Sequence, residues 1–191
     1  MAGDERIRLF CALRLPAPAA DELVAWQARH LPPGVRAVAR DNLHVTLAFL
    51  GSRPAGDVSA VAGELRAAAA AAAPITLHPG RYHETRSVGM IVYDDAGGAA
   101  TALADEVGAR LERLGVYRRE RRSWLPHVTV ARFRERPGLR PPPDGLGPVS
   151  PSDAAVYSSV LRPAGAQYVV LERMVLTNPA PGAGTQTMGG R

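Results

Sequence analysis

A four-residue motif that occurs twice constrains this chain more than any other feature. His44-Val45-Thr46-Leu47 returns further along the chain as His127-Val128-Thr129-Val130. Both copies lie in short apolar runs, 43–50 and 124–133, that are rich in β-branched residues and typical of strands. Side chains alternate along a strand, so the His and Thr of each copy share one face, and the two aliphatic residues take the other. Each copy therefore presents an imidazole beside a hydroxyl and anchors itself in a core.

Two such faces that meet across a cleft would suit acid–base catalysis. A lone His in a strand is more often a hydrogen-bonded structural residue, whereas two matched copies favour a shared function. Histidine titrates near neutral pH, so one ring can take a proton while the other delivers one. A phosphodiester fits this arrangement, with Thr46 and Thr129 donating hydrogen bonds to its non-bridging oxygens. The sequence thus predicts that His44 and His127 form a catalytic pair.

The composition excludes several other kinds of site. All 23 Lys and Arg residues are Arg, which excludes a Walker-type phosphate loop, a Schiff base and a lysyl-adenylate intermediate. No His-x-His or His-Glu-x-x-His pattern is present, and Thr is a poor zinc ligand. The formal net charge of +5 is compatible with a phosphate-bearing substrate. We therefore expect neither a cofactor nor a metal.

Length and patterning predict one domain. A chain of 191 residues suits a single domain, or two small halves that share a core. The single cysteine, Cys11, cannot form an internal disulfide, which agrees with a reducing cytoplasm. No apolar stretch reaches the ~18 residues of a membrane helix, and Arg14 and two prolines interrupt the first apolar run, unlike a signal peptide. We expect a cytoplasmic monomer with its domain over 1–177 and a flexible tail over 178–191.

Local sequence patterns predict three helices and seven strands. Amphipathic or Ala-rich segments bounded by Pro and Gly predict helices at 18–30, 54–73 and 99–114. Short β-branched or alternating runs predict strands at 6–15, 43–50, 75–82, 87–93, 124–133, 154–161 and 167–176. Both histidine motifs lie in a strand that follows a helix, about half a chain apart, which suggests two related halves with one motif each.

The motifs and their surroundings resemble the two-histidine (2H) phosphoesterase superfamily. The matching segments are Arg8 to Leu13, Asn42 to Gly51 and Pro126 to Arg132. Within the superfamily they are most similar to the RNA 2′,3′-cyclic phosphodiesterases, historically called 2′-5′ RNA ligases. The resemblance implies a bilobal α+β fold. It has two antiparallel sheets with helices on the outside, and a central cleft that receives one His-x-Thr-x motif from each lobe.

The resemblance also implies a reaction and a role for each residue. RNA with a 2′,3′-cyclic phosphate end would be hydrolysed to a 2′-phosphate without metal or ATP, and the same groups would run 2′-5′ ligation in reverse. His44 would be the proton donor, His127 the proton acceptor, and Thr46 and Thr129 would bind the phosphate. Arg132 matches a position that contacts phosphate. Strict alternation puts it on the face opposite His127, so a bulge or turn must bring it back.

Several other residues have both a functional and a packing interpretation. The arginine cluster Arg118–Arg122 either guides an RNA backbone or forms a solvated loop. Phe10 and Tyr168 are candidates for base stacking, although ordinary strand packing explains both and is the interpretation we favour. The remaining histidines follow no pattern and are expected at the surface, namely His30, His78 and His83.

The residues leave two further functions open. The same machinery could act on another small cyclic nucleotide, or the fold could be a non-catalytic RNA-binding module. A binding module has no need of paired imidazoles, so the motifs favour an enzyme. Turnover of a 2′,3′-cyclic nucleotide in EDTA separates a metal-independent enzyme from both a metal enzyme and a module.

Overall fold

The protein has an α+β fold, described by a computed structural model over residues 5–162 and 165–176. Its elements in chain order are β1 (Arg6–Arg14), α1 (Ala17–His30), β2 (Arg36–Ala37), a 3-10 turn (Arg40–Asn42), β3 (His44–Pro54), α2 (Asp57–Ala70), β4 (His78–Glu84), β5 (Val88–Asp94), α3 (Ala99–Arg113), β6 (His127–Arg132), β7 (Asp153–Arg162) and β8 (Gly165–Val175). The predicted tail over 178–191 lies outside the described residues. Within the described ranges, no helix is long and apolar enough to cross a membrane.

The predicted helices and strands are present, with shifted ends. The strand β3 runs on to Pro54 through Gly51, whose positive φ of 71° favours glycine, so α2 begins only at Asp57. The strand β4 begins at His78, because the preceding Leu77 pairs in an isolated bridge with Val149. The short β2 was not predicted, since two residues carry too little pattern to identify a strand.

The described strands form one antiparallel sheet in the order β4-β5-β6-β3-β1-β7-β8, with β2 paired to β6 beside this path. We call β3, β1, β7 and β8 the first-motif arm, and β4, β5 and β6 the second-motif arm. The pairing of Val45 with Val128 joins the arms. The expectation of two separate sheets is therefore wrong, because this pair makes the two lobes arms of one sheet.

The arms diverge on either side of their junction. Beyond the Val45–Val128 pair, β2 takes the place of β3 beside β6, with Arg36 opposite Arg132 and Ala37 opposite Ala131. The buried side-chain amide of Gln27 in α1 fixes this split, because its Nε2 donates to the carbonyls of Val38 and Val130 at 2.9 and 2.8 Å. The two histidine strands therefore pair at Val45 and Val128, and beyond this pair β6 continues beside β2.

The helices lie across from the histidine face and fill the core. Helix α1 packs against β6, whereas α2 and α3 pack against each other and against the first-motif arm. Each arm thus contributes one motif, but the helices do not follow the two halves of the chain. Val45 and Val128 are buried in this core, and burial of each such side chain contributes about 1.5–3 kcal/mol to folding.

Candidate active site

The two His-Thr pairs lie on one face of the sheet, as the alternation predicted. Along both motifs the His and Thr are partly exposed, while the aliphatic residues between and after them are buried. The buried side chains are Val45, Leu47, Val128 and Val130, none more than 4% exposed. Each motif is therefore anchored on its core side and open on the other.

The pair that joins the arms also sets the register between the motifs. Val45 lies opposite Val128. In an antiparallel pair, the residue before one partner lies opposite the residue after the other, so His44 lies across from Thr129 and Thr46 across from His127. Burial lowers the pKa of His44, and the electrostatic interaction with His127 acts in the same direction. The two imidazoles that sequence reasoning paired are thus brought to the same junction, each beside the hydroxyl of the other motif.

A β-bulge turns Arg132 to the face of His127. Thr129 pairs with Met90 and Ala131 pairs with Gly89, so Val130 is an extra residue in β6. One extra residue resets the alternation, and the charge of Arg132 contributes to lowering the pKa of His44. The bulge that the sequence required is therefore present, and it follows the second motif directly.

The first motif has the same bulge, which reveals a residue that sequence reasoning missed. Thr46 pairs with Ala12 and Ala48 pairs with Cys11, leaving Leu47 as the extra residue. Phe49 consequently occupies in β3 the place that Arg132 has in β6, and it is 49% exposed. The signal was present in the chain, because the repeat extends to His-Val-Thr-x-Ala with an aliphatic residue at x in both copies, and the next position is Phe49 in one and Arg132 in the other.

Both imidazoles are held by the same hydrogen bond. His44 Nδ1 lies 2.8 Å from the carbonyl of Asn42, and His127 Nδ1 lies 2.8 Å from the carbonyl of Leu125. A carbonyl only accepts, so Nδ1 carries the proton and Nε2 is the atom that exchanges protons when the ring is neutral. His44 Nε2 is 3.0 Å from Thr46 Oγ1, which then donates to it.

The surroundings of His44 are aromatic. Its ring centroid lies 4.9, 6.0 and 5.3 Å from those of Phe10, Tyr157 and Tyr168. Phe10 is 3% exposed and stacks on Tyr157 with an interplanar angle of 4°. Packing against the histidine thus accounts for Phe10, which is too buried to stack on a base, and Tyr168 borders the same ring.

These surroundings hold His44 neutral. Burial lowers the pKa of His44 to about 4, and the charges of His127 and Arg132 act in the same direction. The hydrogen bond to the Asn42 carbonyl opposes them, since it favours the ring that carries a proton on Nδ1. The ligand-free ring is therefore uncharged at neutral pH.

Trp124 connects the second motif's approach to the first motif. Its Nε1 donates to the backbone carbonyl of Thr46 at 2.9 Å, on the edge of β3 that β6 has left. The indole therefore satisfies a backbone acceptor of β3 and fixes the segment before β6 against this strand.

The arginine cluster Arg118–Arg122 divides into residues with different surroundings. Arg119 forms ion pairs with Asp105 and Glu112, and Arg122 pairs with Glu120. Within the described ranges Arg118 forms no ion pair and is exposed at the wall of a cavity that also contains Phe49. The cluster is therefore partly neutralised, and Arg118 is its member beside the histidine face.

The remaining histidines were expected at the surface, and this expectation is wrong for one of them. His78 and His83 are exposed, as predicted. His30 was expected at the surface but is mostly covered, and its Nε2 lies 2.8 Å from Asp144 Oδ1, so it ties α1 to the loop after β6. Among residues 5–162 and 165–176, no group of three His, Cys, Asp or Glu side chains is placed to hold a metal.

Comparison with known families identifies relatives over most of the chain. The family model described as the 2′-5′ RNA ligase superfamily matches residues 15–143. A protein of Escherichia coli K12 named RNA 2′,3′-cyclic phosphodiesterase is 31% identical over 175 residues, which are 89% of this chain and 97% of the relative. A Methanocaldococcus jannaschii protein of the same name is 22% identical over 177 residues, which are 87% of this chain and 99% of that one.

Solved structures give the same fold. The crystal structure of E. coli LigT in apo form has a TM-score of 0.77 and 28% identity, covering 92% of this chain and 100% of LigT. LigT complexed with 3′-AMP has a TM-score of 0.78 and 28% identity, covering 91% and 100%. The protein TT0787 of Thermus thermophilus has a TM-score of 0.74 and 28% identity, covering 90% and 99%.

Proposed function

Because this chain belongs to the 2′-5′ RNA ligase superfamily, we propose that it hydrolyses RNA 2′,3′-cyclic phosphate ends to 2′-phosphates by metal-independent acid–base catalysis. The substrate is an RNA or oligonucleotide end, and no cofactor takes part. Relatives that carry the name RNA 2′,3′-cyclic phosphodiesterase align over most of the chain, which supports this substrate class. The protein acts as a monomer in this proposal, and the same groups run 2′-5′ ligation in reverse.

One observation carries the proposal: two imidazoles of the same tautomer stand at the junction of two strands, each across from the other motif's threonine. Both rings donate Nδ1–H to a backbone carbonyl, so both leave Nε2 for proton transfer. The pairing of Val45 with Val128 supports a site in which each ring lies across from the hydroxyl of the other motif. A phosphorus atom bound there meets a proton acceptor on one side and a proton donor on the other.

The reaction assigns one step to each ring. His127 Nε2 removes a proton from water as the water oxygen forms its bond to phosphorus. The bond from phosphorus to the 3′ oxygen breaks, and His44 Nε2 delivers a proton to that leaving oxygen. Thr46, Thr129 and Arg132 bind the non-bridging oxygens, where negative charge concentrates in the transition state. The phosphate stays on the 2′ oxygen.

His44 must gain its proton when the substrate binds, because the ligand-free ring is neutral at pH 7. Burial keeps it neutral, and the charge of Arg132 acts in the same direction. A cyclic phosphodiester carries one negative charge and would lie beside His44 and Arg132, so it offsets the arginine and favours imidazolium at His44. Proton uptake is thereby coupled to binding of the anion, and the acid is charged only when a leaving oxygen is present.

The test is turnover of 2′,3′-cyclic AMP by the full chain in excess EDTA, with the product identified by ³¹P NMR. We expect 2′-AMP at an undiminished rate and a bell-shaped dependence of the rate on pH. A 3′-AMP product would show that the 2′ oxygen, and not the 3′ oxygen, is the leaving group. Activity that EDTA abolishes would refute metal independence, and RNA binding without turnover would identify a binding module.

A further inference from the structure

A second binding region continues from the histidine face along β3. An open cavity of about 320 Å³ is lined by Phe49, Leu50, Arg53, Gly115, Val116, Tyr117 and Arg118. Phe49 belongs to both regions, because the bulge at Leu47 turns it to the face of Thr46, about 7 Å further along the strand. The cavity is therefore the next recess that a ligand anchored at the histidines would meet in this direction.

The cavity combines apolar and aromatic walls with positive charge. The Arg8 guanidinium lies over the Phe49 ring, 5.3 Å from its centroid, and supplies a cation at its edge. Arg53 is fixed in the wall by Asp57, with its Nε and Nη2 at 2.9 and 2.8 Å from Oδ2. Arg118 is the exposed cation there without an ion pair to any described residue.

Arg118 and Arg121 have no ion pair to a described residue, and of these two only Arg118 lines the cavity. Arg119 is held by Asp105 and Glu112, and Arg122 by Glu120, so both charges are already compensated. Exposed cations beside aromatic surface are the features that bind a single-stranded nucleic acid backbone and its bases. A phosphodiester placed beside Arg118 would pair with a cation that has no ion-pair partner among residues 5–162 and 165–176.

We propose that this cavity binds the nucleotide immediately 5′ of the reacting end, with Arg118 contacting the phosphodiester that links the last two nucleotides. This inference depends on the proposed function, because the cyclic phosphate at the histidines sets the register of the RNA. It makes the protein selective for oligonucleotide ends over 2′,3′-cyclic mononucleotides, which reach the histidines but leave the cavity empty.

The experiment compares kcat/KM on 2′,3′-cyclic CMP with kcat/KM on the dinucleotide ApC that ends in the same cyclic phosphate. The unaltered protein should prefer the dinucleotide, mainly through KM. Arg118→Ala should lower kcat/KM for the dinucleotide by about fivefold, as for an exposed ion pair, and leave the mononucleotide unchanged. Arg118→Ala should also make the plot of log kcat/KM for the dinucleotide against log salt concentration shallower by about 0.7.

Two variants serve as controls. Arg118→Lys keeps the charge and should retain most of the dinucleotide preference, while Arg121→Ala removes a neighbouring exposed arginine that does not line the cavity and should change neither substrate. Equal kcat/KM on both substrates, or equal losses on both in Arg118→Ala, would overturn the cavity assignment. If neither substrate turns over, the proposed function fails, and fluorescence anisotropy with labelled ApC still decides whether Arg118→Ala weakens binding.

Discussion

The first and second motifs, 44–49 and 127–132, share four of six residues and the same hydrogen bond at the histidine, yet their histidines lie in different surroundings. Each ring donates Nδ1–H to the carbonyl two residues earlier, and each motif is followed by a bulge. His44 is surrounded by Phe10, Tyr157 and Tyr168. The His127 side chain is hydrogen-bonded to the Leu125 carbonyl. Among the described residues, no aromatic ring packs against it.

This difference shows how one local motif can supply two chemical roles. The motif fixes the tautomer and direction of each ring, and the neighbouring strands decide the environment of that ring. The aromatic neighbours of His44 come from β1, β7 and β8, which extend the first-motif arm only. Likewise the position after the bulge carries Phe49 in one arm and Arg132 in the other, so the anion-binding charge is on one side of the junction.

The largest expected effect comes from removing each ring in turn. His44→Ala and His127→Ala should each lower kcat on a 2′,3′-cyclic phosphate by about 10²–10⁴-fold. With bis(p-nitrophenyl) phosphate, whose leaving phenolate needs no proton, His44→Ala should lose far less activity than His127→Ala. Absorbance of released nitrophenolate and ³¹P NMR on the cyclic substrate measure the two rates.

The matched control for these variants is His83→Ala, which removes an exposed histidine of the second-motif arm and should leave both rates unchanged. If instead His127→Ala is the variant rescued by the aryl ester, then His127 is the acid and the roles must be exchanged. Equal losses on both substrates would mean that the two rings are not divided into donor and acceptor.

The second prediction concerns stability against pH. Burial lowers the pKa of His44 from 6.5 to about 4, so between these values the unfolded chain binds a proton that the folded chain rejects. The stabilisation is complete above pH 6.5 and falls as the pH drops towards 4, by up to about 3 kcal/mol. His44→Gln should flatten the free energy of unfolding over this window in urea titrations.

A matched variant for the stability measurement is His78→Gln, which replaces an exposed ring on β4 and controls for the loss of one histidine. Urea titrations at several pH values between 4 and 7 give the slope for each protein. A slope in His44→Gln as steep as in the unaltered chain would show that His44 is not the buried group that acid charges.

The third prediction tests the position after the bulge. Arg132→Ala should lower kcat/KM on a 2′,3′-cyclic nucleotide by about 10²-fold, as for the loss of one preorganised donor to the transition state. Arg134→Ala, which removes an exposed arginine just past the end of β6, is the control and should have little effect. Comparable losses in both variants would assign Arg132 only to the general positive field.

The sequence predicted the elements of this site better than the relation between them. Alternation within His44 to Leu47 and His127 to Val130 is a local property, so it identified the faces of both motifs. The single-sheet junction depends on Val45 meeting Val128, a contact between residues far apart in the chain. No periodicity encodes which strand pairs with which, and two separate sheets were expected as a result.

Bulges are the other part that a pattern alone did not locate. Arg132 looked misplaced by strict alternation, and only the pairing of Thr129 with Met90 and Ala131 with Gly89 shows the extra residue. The environment of His44 was equally hidden, because Phe10 and Tyr168 are distant in sequence and meet the ring through the order of β1, β7 and β8. Extending the repeat to Ala48 and Ala131 would have directed attention to Phe49.

The smallest expected effect is a change in the protonation of His44 on anion binding. Inorganic phosphate should occupy the place of the substrate's phosphate beside Thr46, Thr129 and Arg132, and its charge should raise the pKa of His44 from about 4 towards neutrality, by about one unit or more. Titration of the ¹³C-labelled histidine side chains by NMR, with and without phosphate, measures this directly.

Chloride at matched ionic strength controls for screening, and Arg132→Ala sharpens the comparison between the motifs. This variant removes a cation that lowers the pKa of His44, so the ligand-free ring should titrate at a higher pH, while phosphate should now produce a smaller rise because it binds less tightly. A His44 resonance that titrates identically in phosphate and chloride would contradict proton uptake on binding. Since a ring that stays neutral beside bound phosphate can only accept a proton, that result would make His44 the base.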